Sequence, residues 1–584
     1  MRFHFFKVIR PVPPTAILAL SAFCIMIILL SPRIGLRAAT TRASADQAVT
    51  ISVHADRTIG PWNPIWRFFG YDEADYTYMK YGRRLISQLA DMGSQPIFFR
   101  CHNLLTSGPA VPFPKWSATD IYTLNSVGKP VYNWKIVDRI FDTYIRRSAH
   151  PFVEVGFMPE ALSVHPHPYQ QHWTATNHKP LFTGWSYPPK SYHRFGELVY
   201  HWARHCLHRY GKAEVSRWYW EIWNEPNIPY WHGTLAQYCK LYDYSTAAIR
   251  RAIPNARVGG PAVAGTGSPR AVRFLKGFLL HCSLGKNAAT GKMGAPLDFV
   301  SFHAKGQPRW LQGHVRMGIT AELHDLRAGF LTVAGFSRIR HLPIVVSECD
   351  PEGLAASPAT VTKANRYRYG SIYAAYDAEI FARSLALARK LHVNLRGELT
   401  WAFEFENMPM TPAYRTLAMN GVDLPIMNLM RMLAKMHGQQ VLAKSTGGLP
   451  LDSILRHGVP HGSDVSAMAS RGRHQLAVLI WNYADVDTTS SSAMVNLAVS
   501  GLPAELHHAN FQLYLVGKHH SNAVTLWRKL GSPARPNPVV YNQLRRAGLL
   551  ARFGPSVTAT VAGGKSSFSF PLRRQDVALA VFRW

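Results

Sequence analysis

From about residue 66 to residue 406 the chain alternates strand-like and helix-like segments, and this alternation limits its fold more than any other feature. Eight short apolar runs read as strands: WRFFGYDEA (66–74), PIFFRCHN (96–103), PFVEVGFMP (151–159), WYWEIWNEP (218–226), ARVGGPAVA (256–264), LDFVSFHAKG (297–306), PIVVSECDP (343–351) and GELTWAFEFE (397–406). Between them lie segments such as YGRRLISQLADMG (81–93) and YAAYDAEIFARSLALARKL (373–391), with apolar residues every three to four positions, the spacing of one helix face. Parallel strands covered on both faces require such near-continuous apolar runs. Eight of them with helical crossovers, over roughly 340 residues, predict an α/β fold: a (β/α)8 TIM barrel with loop insertions. A doubly wound open sheet would show the same alternation. Polar groups at the carboxyl ends of nearly every run favour the barrel, which builds its site there. They are Asp72 and Glu73, Arg100 and His102, Glu160, Glu225, His303, Glu348, and Glu404 with Glu406.

The stretch WYWEIWNEPN (218–227) is the most specific of these. A buried strand ends there in Asn-Glu-Pro, and Pro226, which has no N–H to donate, stops further pairing. Glu225 is left at the strand tip, among Trp218, Trp220, Trp223 and Trp231. Aromatic rings stack on the apolar faces of sugars, and a carboxyl among them is a candidate acid for cleaving a glycosidic bond. The plainer reading is a structural glutamate at a strand–loop junction. Retaining cleavage needs a second carboxyl about 5–5.5 Å away, and inverting cleavage one at roughly 6.5–9.5 Å. Glu348 ends the seventh run, across the barrel from the fourth, and follows Val345 and Val346. It must stay ionised, and Arg100 and Asn224 are candidate donors to it. Asp350 and Glu352 compete for this role but are expected on the loop beyond the strand, and the acidic cluster could instead cap the next helix.

In sequence order, RCHNLL (100–105), VEVGFMPEAL (153–162), PPKSY (188–192), WEIWNEPN (220–227), DFVSFHA (298–304), VVSECDPEG (345–353) and TWAFEFE (400–406) resemble glycoside hydrolase family 39, the group of β-xylosidases, α-L-iduronidases and some exopolysaccharide hydrolases. The resemblance implies a retaining mechanism in a barrel with an accessory β-sandwich, Glu225 as acid/base and Glu348 as nucleophile. It places Asn224 on the sugar hydroxyl next to the reacting carbon, His102 and His303 along the same subsite, and Trp401 beneath the sugar; Arg100 belongs to the same group. Glu404, with Glu406, falls where the family selects its sugar. Two departures weigh against a simple xylosidase: Cys349-Asp350-Pro351 stands where family xylosidases carry Trp-Asn, and the acidic pattern at Glu404 and Glu406 differs. No metal or organic cofactor is expected.

Beyond the barrel, assigned to 66–440, the texture changes. HQLAVLIWNY (474–483), SAMVNLAVSG (492–501), NFQLYLVGK (510–518) and DVALAVFRW (576–584) alternate between Gly, Pro, Ser and Asn, which predicts a β-sandwich over 441–584. The strand AVTISVH (48–54), within 46–65, is expected to join it. Residues 1–45 read as a signal peptide: a basic start (Arg2, Lys7, Arg10), an apolar run of 15 residues from Ala16 to Leu30, and Ala43-Ser44-Ala45 before Asp46. The run is shorter than the ~20 residues a spanning helix needs. An uncleaved anchor is the alternative, and with it the only expected link to a membrane. Either way the expected location is secreted or periplasmic.

The net charge is +31, and losing the six basic residues of the first 45 leaves +25. That field suits a polyanion such as an acidic polysaccharide, or simply keeps the chain soluble. The basic residues are scattered and form no nucleic-acid module, so no nucleic-acid partner is expected. Cys24 falls in the leader, and the five remaining cysteines, odd in number and widely spaced, are no disulfide framework. A rival of another class is a carbohydrate-binding or envelope-assembly protein that has lost catalysis on the same scaffold. The presence of both carboxylates argues against it.

Overall fold

The computed structural model describes residues 47–584 apart from Ser94, 112–114, His178, 411–413 and 489–491. The signal or anchor expected over residues 1–45 lies outside the described residues. No helix among the described residues is long and apolar enough to cross a membrane. Strand β1 (Gln47–Pro61) belongs to a second sheet, taken up below.

All eight predicted runs supply strands of one closed parallel barrel: β2 (Phe68–Tyr71), β3 (Phe98–Cys101), β4 (His150–Val155), β5 (Tyr219–Ile222), β6 (Arg257–Val263), β7 (Phe299–Lys305), β8 (Pro343–Asp350) and β9 (Asn394–Trp401). They follow one another around the barrel in chain order, and β9 closes on β2. The two helical segments named from periodicity form helices Lys80–Ala90 and Ser371–Lys390.

Strand alternation sorts the side chains into layers. Phe68, Phe98, Phe152, Tyr219, Phe299, Val345 and Leu399 fill the barrel's lower interior, with Phe152 stacked on Tyr219 at 5.2 Å. The crowding leaves no room for a side chain at Gly397, where a Cβ would meet the Phe68 ring at 2.4 Å. One step up each strand the interior turns polar, with Arg100, Glu154 and Glu221 fully buried. The next step is the carboxyl-end mouth.

The same alternation corrects the expected tryptophan ring. Tyr219 and Glu221 of β5 point inward, so Trp218 and Trp220 point outward beneath the helices, against Phe141 at 5.2 Å and Trp202 at 5.7 Å. Trp223 and Trp231 pack on each other at 5.1 Å, behind the site.

The second sheet has ten strands among the described residues, nine of them from 439 onward and the tenth β1. β1 lies between Gln439–Ser445, antiparallel, and Ser492–Ser500, parallel. The two layers are one continuous hydrogen-bonded ladder folded over on itself. Phe511 and Phe568, from opposite ends of the strand order, stack at 3.7 Å across the fold. The apolar run 475–483 is buried on both faces: Leu476, Val478 and Ile480 face the sheet's own core, while Ala477, Leu479 and Trp481 join the core around the barrel. Trp481 Nε1 donates to Glu379 of helix Ser371–Lys390, whose Arg383 also bonds Asp464 at 2.7 Å. The five cysteines from Cys101 to Cys349 are buried and unpaired.

Candidate active site

Strand β5 ends at Ile222, and the chain then turns sharply through Trp223 (φ +70°) and Glu225 (φ +45°). Left-handed backbone at such side chains costs about 1–3 kcal/mol each and is kept only where the surroundings enforce it. Here the Trp223 ring is buried against Phe157 and donates to Tyr230 O at 3.0 Å, and Glu225 N–H donates to Ala262 O at 3.0 Å. The turn aims the Glu225 carboxylate over the barrel mouth, where His303 Nδ1 lies 2.9 Å from Oε1.

Glu348 reaches the mouth by a different device. Val345 points into the barrel, so strict alternation would send residue 348 outward. Between Val346 and Glu348 the pairing with β7 shifts by one residue, leaving Ser347 as a bulge. A bulge re-aims the side chains that follow it. Glu348 thereby meets Arg100 Nη1 at 3.1 Å, Lys305 Nζ at 2.7 Å and His303 Nδ1 at 3.7 Å. One carboxylate oxygen of Glu225, one ring nitrogen of His303 and one oxygen of Glu348 lie within 4.8 Å of one another. Three such ligand atoms could also hold a divalent ion, but Arg100 and Lys305 already neutralise Glu348 and would repel one. Burial would push the Glu348 carboxyl up, yet His303, Lys305 and Arg100 together hold it well below the usual carboxylate range.

Arg100 organises the floor. Its Nε donates to Glu221 at 2.6 Å, and its Nη2 reaches Glu154 at 2.8 Å and Asn224 Oδ1 at 2.9 Å. The Asn224 amide is thus fixed by its oxygen, and its Nδ2 is buried without a hydrogen-bond partner among the described residues. His102 Nδ1 meets Glu154 at 2.6 Å, and its Nε2 lies 3.4 Å from Asp72, which in turn accepts from Lys115 at 2.7 Å. Trp401 lies with its ring centroid 4.5 Å from that of His102 and 5.3 Å from the Arg100 guanidinium carbon. The cavity above measures about 460 Å³, with Trp173, Phe182 and Tyr230 along one wall and Gly353–Ser357 along another.

Seven of the eight residues named from sequence therefore converge: Arg100, His102, Asn224, Glu225, His303, Glu348 and Trp401. Glu404 does not join them. It is fully buried, accepts from the backbone N–H of Gly421 at 2.5 Å and faces Arg84 at 3.5 Å, and it is not among the residues that line the cavity. Burial pushes its carboxyl up from 4.5 to about 8, against the pull of the Gly421 N–H and Arg84. A folded carboxyl raised in this way binds its proton more tightly than the unfolded chain does. Its contribution to stability is therefore complete below about 4.5 and lost as pH rises toward 8. Glu404→Gln is expected to flatten part of the fall in melting temperature between pH 5 and pH 8, as read by calorimetry at both pH values, and to leave glycoside turnover unchanged.

Asp350 and Glu352 are also placed differently from expectation. Asp350 is the last residue of β8 rather than part of the loop, because the bulge keeps the strand paired with β7 through Lys305. Its carboxylate binds Lys305 Nζ at 2.5 Å, Arg415 Nη2 at 3.2 Å and the Trp401 backbone N–H at 2.8 Å. Glu352 does not cap the following helix; it accepts from Arg368 and Arg415, each at 2.7 Å. Burial opposes its charge, but these two cations lower it to about 2. Lys305, Lys115 and Arg415 are the cavity groups that sequence reasoning missed. Lys305, two residues past His303 on the same strand, carried a period-two signal; Arg415 lies in a loop and carried none.

Two carboxylates within reach of one atom, one clamped by cations, and an aromatic platform, all at the mouth of a closed barrel, define a glycoside hydrolase. The sequence profile of Glycosyl hydrolases family 39 matches residues 49–552, and the chain belongs to that family. A β-xylosidase of Caldicellulosiruptor saccharolyticus is 24% identical over 513 residues, covering 86% of this chain and 92% of the relative. An α-L-iduronidase of Mus musculus is 25% identical over 530 residues, covering 86% and 76%. The crystal structure of a monomeric β-xylosidase from Caulobacter crescentus CB15 superposes with a TM-score of 0.71 at 20% identity, covering 91% of this chain and 99% of that one. The protein is a glycoside hydrolase acting on carbohydrate by double displacement, on a (β/α)8 barrel with an accessory β domain.

Proposed function

We propose that Glu348 is the nucleophile and Glu225 the acid/base of this reaction, on an acidic poly- or oligosaccharide outside the cytoplasm. The observation that carries the assignment is the asymmetry between the two carboxylates. Arg100 and Lys305 keep Glu348 ionised and ready to attack, whereas among the described residues the Glu225 carboxylate bonds only His303 and otherwise faces the open cavity. Glu225 protonates the departing oxygen as a Glu348 oxygen bonds to the anomeric carbon, through an oxocarbenium-like state. Glu225 then takes a proton from water, which displaces Glu348 and releases the sugar with its configuration retained. Asn224 Nδ2, unpartnered in the cavity floor, is the donor to the neighbouring sugar hydroxyl. Trp401 is the surface on which the ring lies. Every step balances with these side chains and water alone.

Support for an acidic sugar comes from the net charge of +31 and from Lys115, Lys305 and Arg415 in the cavity lining, each already held by a carboxylate of the protein. An aryl-glycoside panel containing pentosides, hexosides and uronides, with NMR of the first-formed anomer, tests both points. The expected result is a retained anomer and fastest turnover on a uronide. An inverted first product would overturn the roles, and exclusive turnover of neutral pentosides would overturn the acidic substrate. Secretion or a periplasmic location rests on the charge and hydropathy pattern of residues 1–45. Terminal sequencing of the mature protein from the expressing cell is expected to begin at Asp46; an intact Met1 would favour the anchor.

A further inference from the structure

A second groove, of about 870 Å³, lies beside the catalytic cavity and takes no part in the chemistry above. Its wall carries Trp310, Arg366, Tyr367, Lys518 and Arg528. Arg366, Lys518 and Arg528 are exposed, and none makes an ion pair among the described residues. The acid of the wall, Asp487, is already engaged by His314 at 3.2 Å. The Arg366 guanidinium lies over the Trp310 ring at 4.7 Å, which holds its planar fork in place. Gln575, 3% exposed in the same wall, has an Oε1 without a partner.

The groove and the cavity adjoin. Gly353–Ser357 walls the cavity, and Ala359 and Thr360 of the same loop wall the groove. One buried carboxylate separates them: Glu352 accepts from groove-lining Tyr367 at 3.0 Å and from cavity-lining Arg415 at 2.7 Å.

We infer that this groove binds an anionic polysaccharide, holding the part of the chain that extends beyond the sugar in the catalytic cavity. The inference rests on the glycosidase reading and extends it from one sugar to the polymer. Three cations without ion-pair partners among the described residues receive carboxylates or sulfates with no existing pair to break, and a guanidinium matches either in a two-pronged bond. Nucleic acid fits less well, because single strands are held by successive aromatic platforms and Trp310 is already covered on one face by Arg366.

The test compares fluorescent oligogalacturonate, a neutral xylo-oligosaccharide of matched length and a single-stranded oligonucleotide, on the full-length protein. The variants are the triple Arg366→Ala, Lys518→Ala, Arg528→Ala and, as a single charge reversal at an exposed position, Arg528→Glu alone. The triple variant is expected to bind the galacturonate about tenfold or more weakly and to lose about two from the slope of log affinity against log salt. Turnover of small aryl glycosides and the melting temperature are expected to stay unchanged, and Arg528→Glu to weaken galacturonate binding in the same direction. Unchanged galacturonate affinity in both variants, or displacement of galacturonate by the oligonucleotide, overturns the inference. Absence of turnover by the wild-type protein on every aryl glycoside would instead sink the catalytic reading.

Discussion

Glu348→Gln is expected to lower kcat by about 10⁴-fold or more, because the covalent intermediate can no longer form. The amide oxygen still accepts from Arg100, and Lys305 remains held by Asp350 at 2.5 Å, so the barrel mouth keeps its shape. What disappears is the negative charge that attacks the anomeric carbon. An unchanged melting temperature alongside the lost turnover separates chemistry from folding. Glu348→Ala leaves space for a small anion, and azide is expected to restore turnover and yield a glycosyl azide of inverted configuration. Full activity in Glu348→Gln would show that another group is the nucleophile.

Glu225→Gln is expected to cost about 10²–10⁴-fold, unevenly across substrates. Proton donation matters most where the leaving oxygen is basic, so natural glycans and alkyl glycosides lose far more than nitrophenyl glycosides. With Glu225→Ala, azide is expected to attack the glycosyl–Glu348 intermediate and give a glycosyl azide of retained configuration. The opposite stereochemistry of the two rescued products assigns each carboxylate independently. A uniform loss over all leaving groups, with no azide product, would place Glu225 outside proton transfer.

The two carboxylates were legible in the sequence to different degrees. Asn-Glu-Pro after an aromatic strand marks Glu225 locally, since Pro226 ends the pairing and the turn sets the carboxyl at the tip. Glu348 was legible only as a carboxyl near a strand end. A straight reading of β8 from Val345 sends it out of the barrel, and only the unpaired Ser347 turns it in. The tryptophans show the converse case. A cluster in sequence looked like a ring around the acid, but period-two alternation sends Trp218 and Trp220 under the helices. The aromatic surfaces of the cavity come instead from the end of β9 (Trp401) and from loops (Trp173, Phe182 and Tyr230).

The order of eight apolar runs, each short enough for a strand, together with the polar groups at their carboxyl ends, pointed to the barrel from the sequence. Burial pattern is local, and a parallel sheet covered by helices imposes it on every strand. The tertiary structure alone decided which charges share a cavity. Arg100 and Lys305 meet Glu348, and Arg415 meets the adjacent Asp350, from three separate places in the chain, while Glu404, close to Trp401 in sequence, turns to Arg84 and the Gly421 backbone instead. Electrostatic partnership depends on distance through space, and one bulge or one loop changes that distance without leaving a mark in the local sequence.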